Sequence, residues 1–386
     1  MGLLFEIYER FRRRSAGGLA GSAPRSYNHG FGVRLLCVLA SVAVSGPLLC
    51  AQGSQATFHN PLLPTGPDPW VTSANGFYYY MNTTGHDLTI RRTRDITDLA
   101  HADVKTVWTA PATGPYSKEI WAPELHQLDG KWYIYFAADD GANENHRIYV
   151  IENDVSDPMD GTWTFRGKVS DATDRWAIDP TVFQDHGRTY MLWSGWEGAT
   201  DGEQRIYIAR LKNPWTVGSR RTLLSSPEYP WEQVGDLLNR PAMPHVNVNE
   251  GPEILKHNGR IFLVYSASAC WTDYYELGVL EARSGKNLLK AKSWTKFDHP
   301  FFKQDPEHSV FGPGHNGFFK SPDGTEDWII YHANSASGQG CGSHRSPRIQ
   351  KFTWNPDGTP DFGDPVAVGT ELAKPSGTLP MDVPEH

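Results

Sequence analysis

Hydrophobic positions fall in short β-branched and aromatic runs bounded by turn residues, and the clearest example spans Asn247 to Tyr265. There a first strand carries Glu250 and Glu253, Asn258-Gly259 makes the turn, and Arg260 to Tyr265 supply the second strand of a predicted β-hairpin. Pro252 lies seven residues before Gly259, and the same spacing separates Pro69 from Gly76, Pro123 from Gly130 and Pro180 from Gly187. Each turn leads into a strand-like run, Phe77 to Met81, Lys131 to Ala137, Arg188 to Trp193 and Arg260 to Tyr265. A looser fifth copy starts with Gly-Pro-Gly-His-Asn-Gly-Phe-Phe at Gly312, turns at Asp323-Gly324 and continues through Asp327 to His332.

The turn glycines are 54, 57, 72 and 65 residues apart. Each interval holds about four strands of the usual five or six residues plus their turns. Five copies of a four-stranded antiparallel unit predict an all-β chain, a five-bladed β-propeller. A β-sandwich would match the strand spacing but would not explain why the residues around the prolines recur as well.

The first 51 residues do not share this pattern. Arg12-Arg13-Arg14 and Arg34 precede an apolar run from Leu35 to Leu49, and Leu49-Cys50-Ala51 resembles a small-residue cleavage site, as in a secretory leader. An uncleaved membrane anchor is the alternative, disfavoured because the run is shorter than the roughly 20 apolar residues of a spanning helix. Residues 1–51 are therefore read as a leader and 52–386 as one propeller domain, secreted, monomeric and without membrane attachment once the leader is removed. Loss of the leader's six Arg and two Glu takes the net charge from −8 to −12, which disfavours nucleic acid or anionic lipid and suits a neutral partner. Cys270 and Cys341 remain, after equivalent strands of the fourth and fifth repeats, either paired in an oxidising compartment or as two buried thiols. Asn82-Thr83-Thr84 is a lone glycosylation sequon.

Comparing the copies separates scaffold from chemistry. Before the shared proline stand Asp68, Ala122, Asp179 and Gly251, so the scaffold needs no carboxylate there. After it stand Trp70, Glu124, Thr181 and Glu253, and the recurrence of Glu at Glu124 and Glu253 favours a structural role. Glu250 has no counterpart. First strands of propeller blades line the central channel, so Asp68, Asp179 and Glu250 are expected to converge at one end of it. They could ligate a cation, form solvated strand ends, or act as acid and base on a glycosidic bond. Ligands spaced one per blade are sparser than in most calcium sites, and acid–base chemistry accounts for the set best.

The stretches Asp68-Pro69-Trp70, Ile120-Trp121-Ala122-Pro123-Glu124-Leu125-His126, Ala177-Ile178-Asp179-Pro180-Thr181 and Asn249-Glu250-Gly251-Pro252-Glu253-Ile254 resemble glycoside hydrolase family 43 from about residue 60 to 362. With Cys270-Trp271-Thr272-Asp273, they are most similar to its secreted exo-acting α-L-arabinofuranosidases on α-1,5-arabinan. The resemblance implies a propeller, a neutral plant cell-wall polysaccharide or oligosaccharide as substrate, inversion of configuration, and no cofactor for the chemistry. It assigns Asp68 as general base, Glu250 as general acid and Asp179 as the carboxylate that orients the acid and raises its pKa. His315 matches a channel histidine that in many members touches a cation, often calcium, through the axis waters; as a lone histidine it could equally be a hydrogen-bonded core residue. Arg345 matches an arginine reaching the site from the last blade, with Arg348 close enough to be confused with it. Trp70 and Trp121 are the main candidates for sugar contact and Trp271 a further one. An endo-arabinanase, a β-xylosidase, an arabinoxylan-debranching enzyme and a non-catalytic carbohydrate-binding propeller are the alternatives.

Overall fold

In the computed structural model, which describes residues 56–199, 202–236 and 246–379, the Asn258-Gly259 turn closes the expected hairpin by pairing Asn249–His257 with Arg260–Ala267. Glu276–Arg283 and Trp294–Lys296 complete a four-stranded antiparallel sheet in chain order. The same order runs from Trp70–Ala74 to Asp103–Thr109, from Lys118–Leu128 to Thr164–Val169, and from Phe311–Lys320 to Pro360–Asp361. The third sheet, beginning at Ala177–Asp185, divides its outer edge, because Arg205–Asn213 pairs with both Thr216–Val217 and Thr222–Ser225. Each first strand packs against the first strands on either side, and the fifth packs against the first, closing a five-bladed β-propeller. The leader expected over residues 1–51 lies outside the described residues.

Strand alternation places each blade's two faces in different cores. Trp132, Ile134 and Phe136 pack with Tyr79, Leu88 and Ile90 of the first blade, while Tyr133 and Tyr135 pack with Val182, Met191 and Tyr207 of the third. Fully burying a side chain such as Phe136 or Ile134 contributes about 1.5–3 kcal/mol, available to a blade only through its neighbours. Phe58, Leu62 and Leu63 join the core between blades five and one. There the Asn60 side chain donates to the Ile349 carbonyl at 2.8 Å and accepts its N–H at 3.0 Å, and Thr57–Phe58 pairs with Leu372–Ala373.

Every first strand bends at the same point. Register shifts between Trp121 and Glu124, Ile178 and Thr181, Glu250 and Glu253, and Gly314 and Gly317. Within these bulges Ala122, Asp179, Gly251 and His315 have φ of 44°, 54°, 52° and 48°, and Asp68, two residues before Trp70, has 56°. A left-handed backbone costs a non-glycine residue roughly 1–2 kcal/mol, and Ala122 shares it without chemistry to perform. The bend therefore belongs to the scaffold, and the side chain at each bend is what differs. In the fifth blade the equivalent position is His315 rather than Gly312, with Asn316 where the other four blades have proline.

Candidate active site

The bends bring Asp68, Asp179 and His315 to one end of the channel, with Glu250 immediately before the fourth bend. Gly251 makes the close approach feasible: a Cβ there would lie 3.3 Å from both Cγ and Nδ1 of His315. All four functional candidates are at least nine-tenths buried.

Asp68 has the most donors. Arg345 Nη1 donates to its Oδ1 at 2.7 Å, the Thr83 hydroxyl donates to Oδ2 at 2.6 Å, and His315 Nδ1 stands 3.3 Å from Oδ1. Its backbone N–H donates to His332 Nδ1 at 3.0 Å, so that ring nitrogen carries no proton. Thr83 also accepts the Ala122 N–H at 2.7 Å, tying Asp68 to the second blade. Burial alone would raise the Asp68 pKa, but Arg345, followed by the histidine rings and Thr83, outweighs it and holds the carboxyl well below its ordinary range. Arg348, three residues on, is fully buried and donates to Ser335 Oγ at 3.0 Å, so Arg345 is the arginine that reaches the site.

Glu250 and Asp179 have the opposite environment. Burial, with the Asp68 charge, pushes Glu250 up to about 7 against a hydrogen bond from the Tyr275 hydroxyl to Oε1 at 3.0 Å. Burial likewise raises Asp179 to about 7, with Glu250 and Asp68 adding to it and His315 opposing. Asp179 Oδ2 accepts the Gly251 N–H at 3.0 Å, which fixes the backbone next to Glu250.

Glu124 and Glu253 follow their bends and form a separate buried group. His126 Nε2 lies 2.8 Å from Glu124 Oε2, and Thr181 donates to Glu253 Oε2 at 3.4 Å. Burial, reinforced for Glu124 by the Glu253 charge, raises both, Glu253 to about 8.

The tryptophans make other contacts. Trp70 donates to the Leu125 carbonyl at 3.1 Å beside His126, Trp121 donates to Glu119 Oε2 at 3.0 Å and stacks on His146, and Trp271 donates to the Gly235 carbonyl at 2.9 Å. All three are partly buried. Cys270 and Cys341 form a disulfide across blades four and five.

Calcium takes six to eight oxygen ligands. His315 is turned toward Asp68, whose carboxylate already serves Arg345 and Thr83, and no group of three His, Cys, Asp or Glu suited to a cation occurs among the described residues. The side chains around His315 therefore do not fit direct ligation of calcium.

Sequence reasoning missed Thr83, Tyr275 and His332. His332 had a signal, as a polar residue inside the apolar strand Asp327–Asn334. Thr83 had none beyond the sequon, and Tyr275 none beyond its nearness to Cys270.

The sequence matches the model of glycosyl hydrolases family 43 over residues 58–360. It is 39% identical over 323 residues to an extracellular exo-α-(1→5)-L-arabinofuranosidase of Streptomyces avermitilis, covering 81% of this chain and 64% of that relative, just under two thirds of its length. A relative of the same description from Streptomyces chartreusis is 37% identical over 77% of this chain and 90% of its own. The crystal structure of an α-L-arabinofuranosidase from Lactobacillus brevis aligns with a TM-score of 0.75 at 37% identity, covering 81% of this chain and 98% of that one. Because the matched span includes all five bends and the carboxyl groups they gather, the protein belongs to glycosyl hydrolase family 43 and is a glycoside hydrolase.

Proposed function

We propose that this enzyme releases L-arabinofuranose from the ends of α-1,5-linked arabinan or arabino-oligosaccharides with inversion of configuration. One observation carries the acid–base part: at the same channel end Asp68 is held ionised by Arg345 and Thr83, while burial keeps Glu250 protonated up to about pH 7. Carboxyls driven apart in this way take opposite roles. The two Streptomyces relatives, described as extracellular exo-α-(1→5)-L-arabinofuranosidases, support the substrate class, the exo action and secretion.

In this reading Asp68 accepts a proton from water as the water oxygen bonds to the anomeric carbon. The carbon–oxygen bond to the departing sugar breaks as Glu250 gives its proton to that oxygen. Asp179 orients Glu250 through Gly251, while burial and the Asp68 charge keep Glu250 protonated. Inversion needs room for the water, so the Asp68 and Glu250 carboxyls should stand roughly 6.5–9.5 Å apart in the working complex. Arg345 has a second task available, a hydrogen bond to a sugar hydroxyl, and Trp70, Trp121 and Trp271 remain proposed sugar contacts. The chemistry uses side chains and water alone.

The test is the product profile on linear arabinan. Arabinose from the first time point supports exo cleavage, an early ladder of oligosaccharides would instead make the enzyme an endo-arabinanase, and cleavage of xylo-oligosaccharides alone would make it a β-xylosidase.

A further inference from the structure

Tyr275 is almost fully buried, and its hydroxyl donates to Glu250 Oε1 at 3.0 Å. Burial, together with the Glu250 charge, keeps the phenol protonated far above neutral pH, so it is a permanent donor. The ring has little freedom. It stacks on His332 with centroids 5.7 Å apart and planes within 5°, and His332 is itself fixed by the Asp68 N–H. On another side it meets Gly314, where a Cβ would fall 2.4 Å from both Cδ1 and Cε1. The preceding segment is pinned by the Cys270–Cys341 disulfide and by Asp273, whose carboxylate accepts the Ser337 hydroxyl and the Gly338 N–H.

A neutral carboxyl group has one O–H, and either oxygen can carry it. A donor already on Oε1 makes that oxygen the acceptor and leaves the proton to Oε2. We infer that Tyr275 is a positioning residue for hydrolysis, confining the transferable proton to Glu250 Oε2 and fixing the plane in which it meets the glycosidic oxygen. The same side chain joins the two halves of the site, since the Tyr275–His332 stack runs from the carboxyl of Glu250 to the backbone of Asp68. This inference rests on Glu250 being the general acid.

The experiment compares Tyr275→Phe, Gly314→Ala and Glu250→Ala in the full enzyme on a linear α-1,5-arabino-oligosaccharide and on an aryl arabinofuranoside. Tyr275→Phe should lose roughly tenfold or more in kcat on the oligosaccharide, the scale of one hydrogen bond to a charged group, with KM and aryl turnover little changed. The Tyr275 bond favours the ionised form of Glu250. Its removal should therefore move the alkaline limb of kcat/KM to higher pH, which general loosening of the fold would not do. Gly314→Ala keeps the phenol but displaces its ring, and should reproduce the split between substrates. If Glu250→Ala shows the split while Tyr275→Phe loses equally on both substrates or leaves the limb in place, the positioning role is overturned and the acid assignment survives. Equal loss by Glu250→Ala on both substrates would remove the acid assignment itself.

Discussion

Asp68 and Asp179 occupy the same left-handed bend in their blades, at φ 56° and 54°, yet one carboxyl is held well below its ordinary range and the other is raised to about 7. Backbone geometry cannot distinguish them. Arg345 and Thr83 reach Asp68, whereas Asp179 receives the Gly251 N–H and remains near Glu250. A repeated scaffold thus supplies equivalent positions, and contacts from other blades give each its chemistry.

Leaving-group dependence should separate acid from base. Protonating a sugar alkoxide contributes on the order of 10² to 10⁴ in rate, whereas a phenolate leaves with little help. Glu250→Ala should lose that factor on arabino-oligosaccharides and far less on an aryl arabinofuranoside. Asp68→Ala should be impaired similarly on both, with recovery in added azide. The reverse pattern would exchange the two roles.

Arg345 should control the acidic limb of the pH profile. Without its charge, burial dominates and the Asp68 pKa rises, so Arg345→Met should move the acidic limb of kcat/KM to higher pH. Arg345→Lys should restore part of the shift, as a charge without the fork geometry. Arg348→Met should lower the melting temperature and leave the limb where it is, because its guanidinium serves Ser335 and Ala333.

Glu253 should matter to stability more than to turnover. Its folded pKa is raised from 4.5 to about 8, so its stabilising contribution is complete below 4.5 and is lost as pH rises toward about 8, where the unfolded chain ionises more readily. Glu253→Gln should flatten the fall in melting temperature over that window and retain much more activity than Glu250→Gln. Equal loss of turnover in both folded variants would contradict the division between the two glutamates.

The Cys270–Cys341 disulfide closes a sequence separation of 71 residues. Replacing both cysteines with serine should cost about 2–5 kcal/mol in denaturant unfolding, by enlarging the freedom of the unfolded chain. A non-reduced digest should yield the linked peptide; recovery of both as free thiols would count against the crosslink.

The sequence by itself determined the blade count, the all-β class and the three carboxyl candidates. Each blade is built from local hairpins, so its turn-to-turn spacing is written consecutively along the chain, and comparison of copies shows which positions the scaffold leaves free. What only the tertiary structure decided depends on contacts with no local signature. Arg345 reaches Asp68 across 277 residues, and its neighbour Arg348 does not, because Arg345 precedes the strand Ser346–Trp354 while Arg348 lies inside it, buried among the last blade's own groups. Thr83 and Tyr275 enter the site from loops of their own blades, and His332 reaches Asp68 from a second strand of the fifth blade, a contact that only ring closure makes. His315 was assigned through resemblance, but its equivalence to Asp68 and Asp179 emerged from a bulge that shifts the fifth strand's register. The opposed protonation of Asp68 and Glu250 follows from burial and from charges on distant strands, and neither exists until the ring has closed.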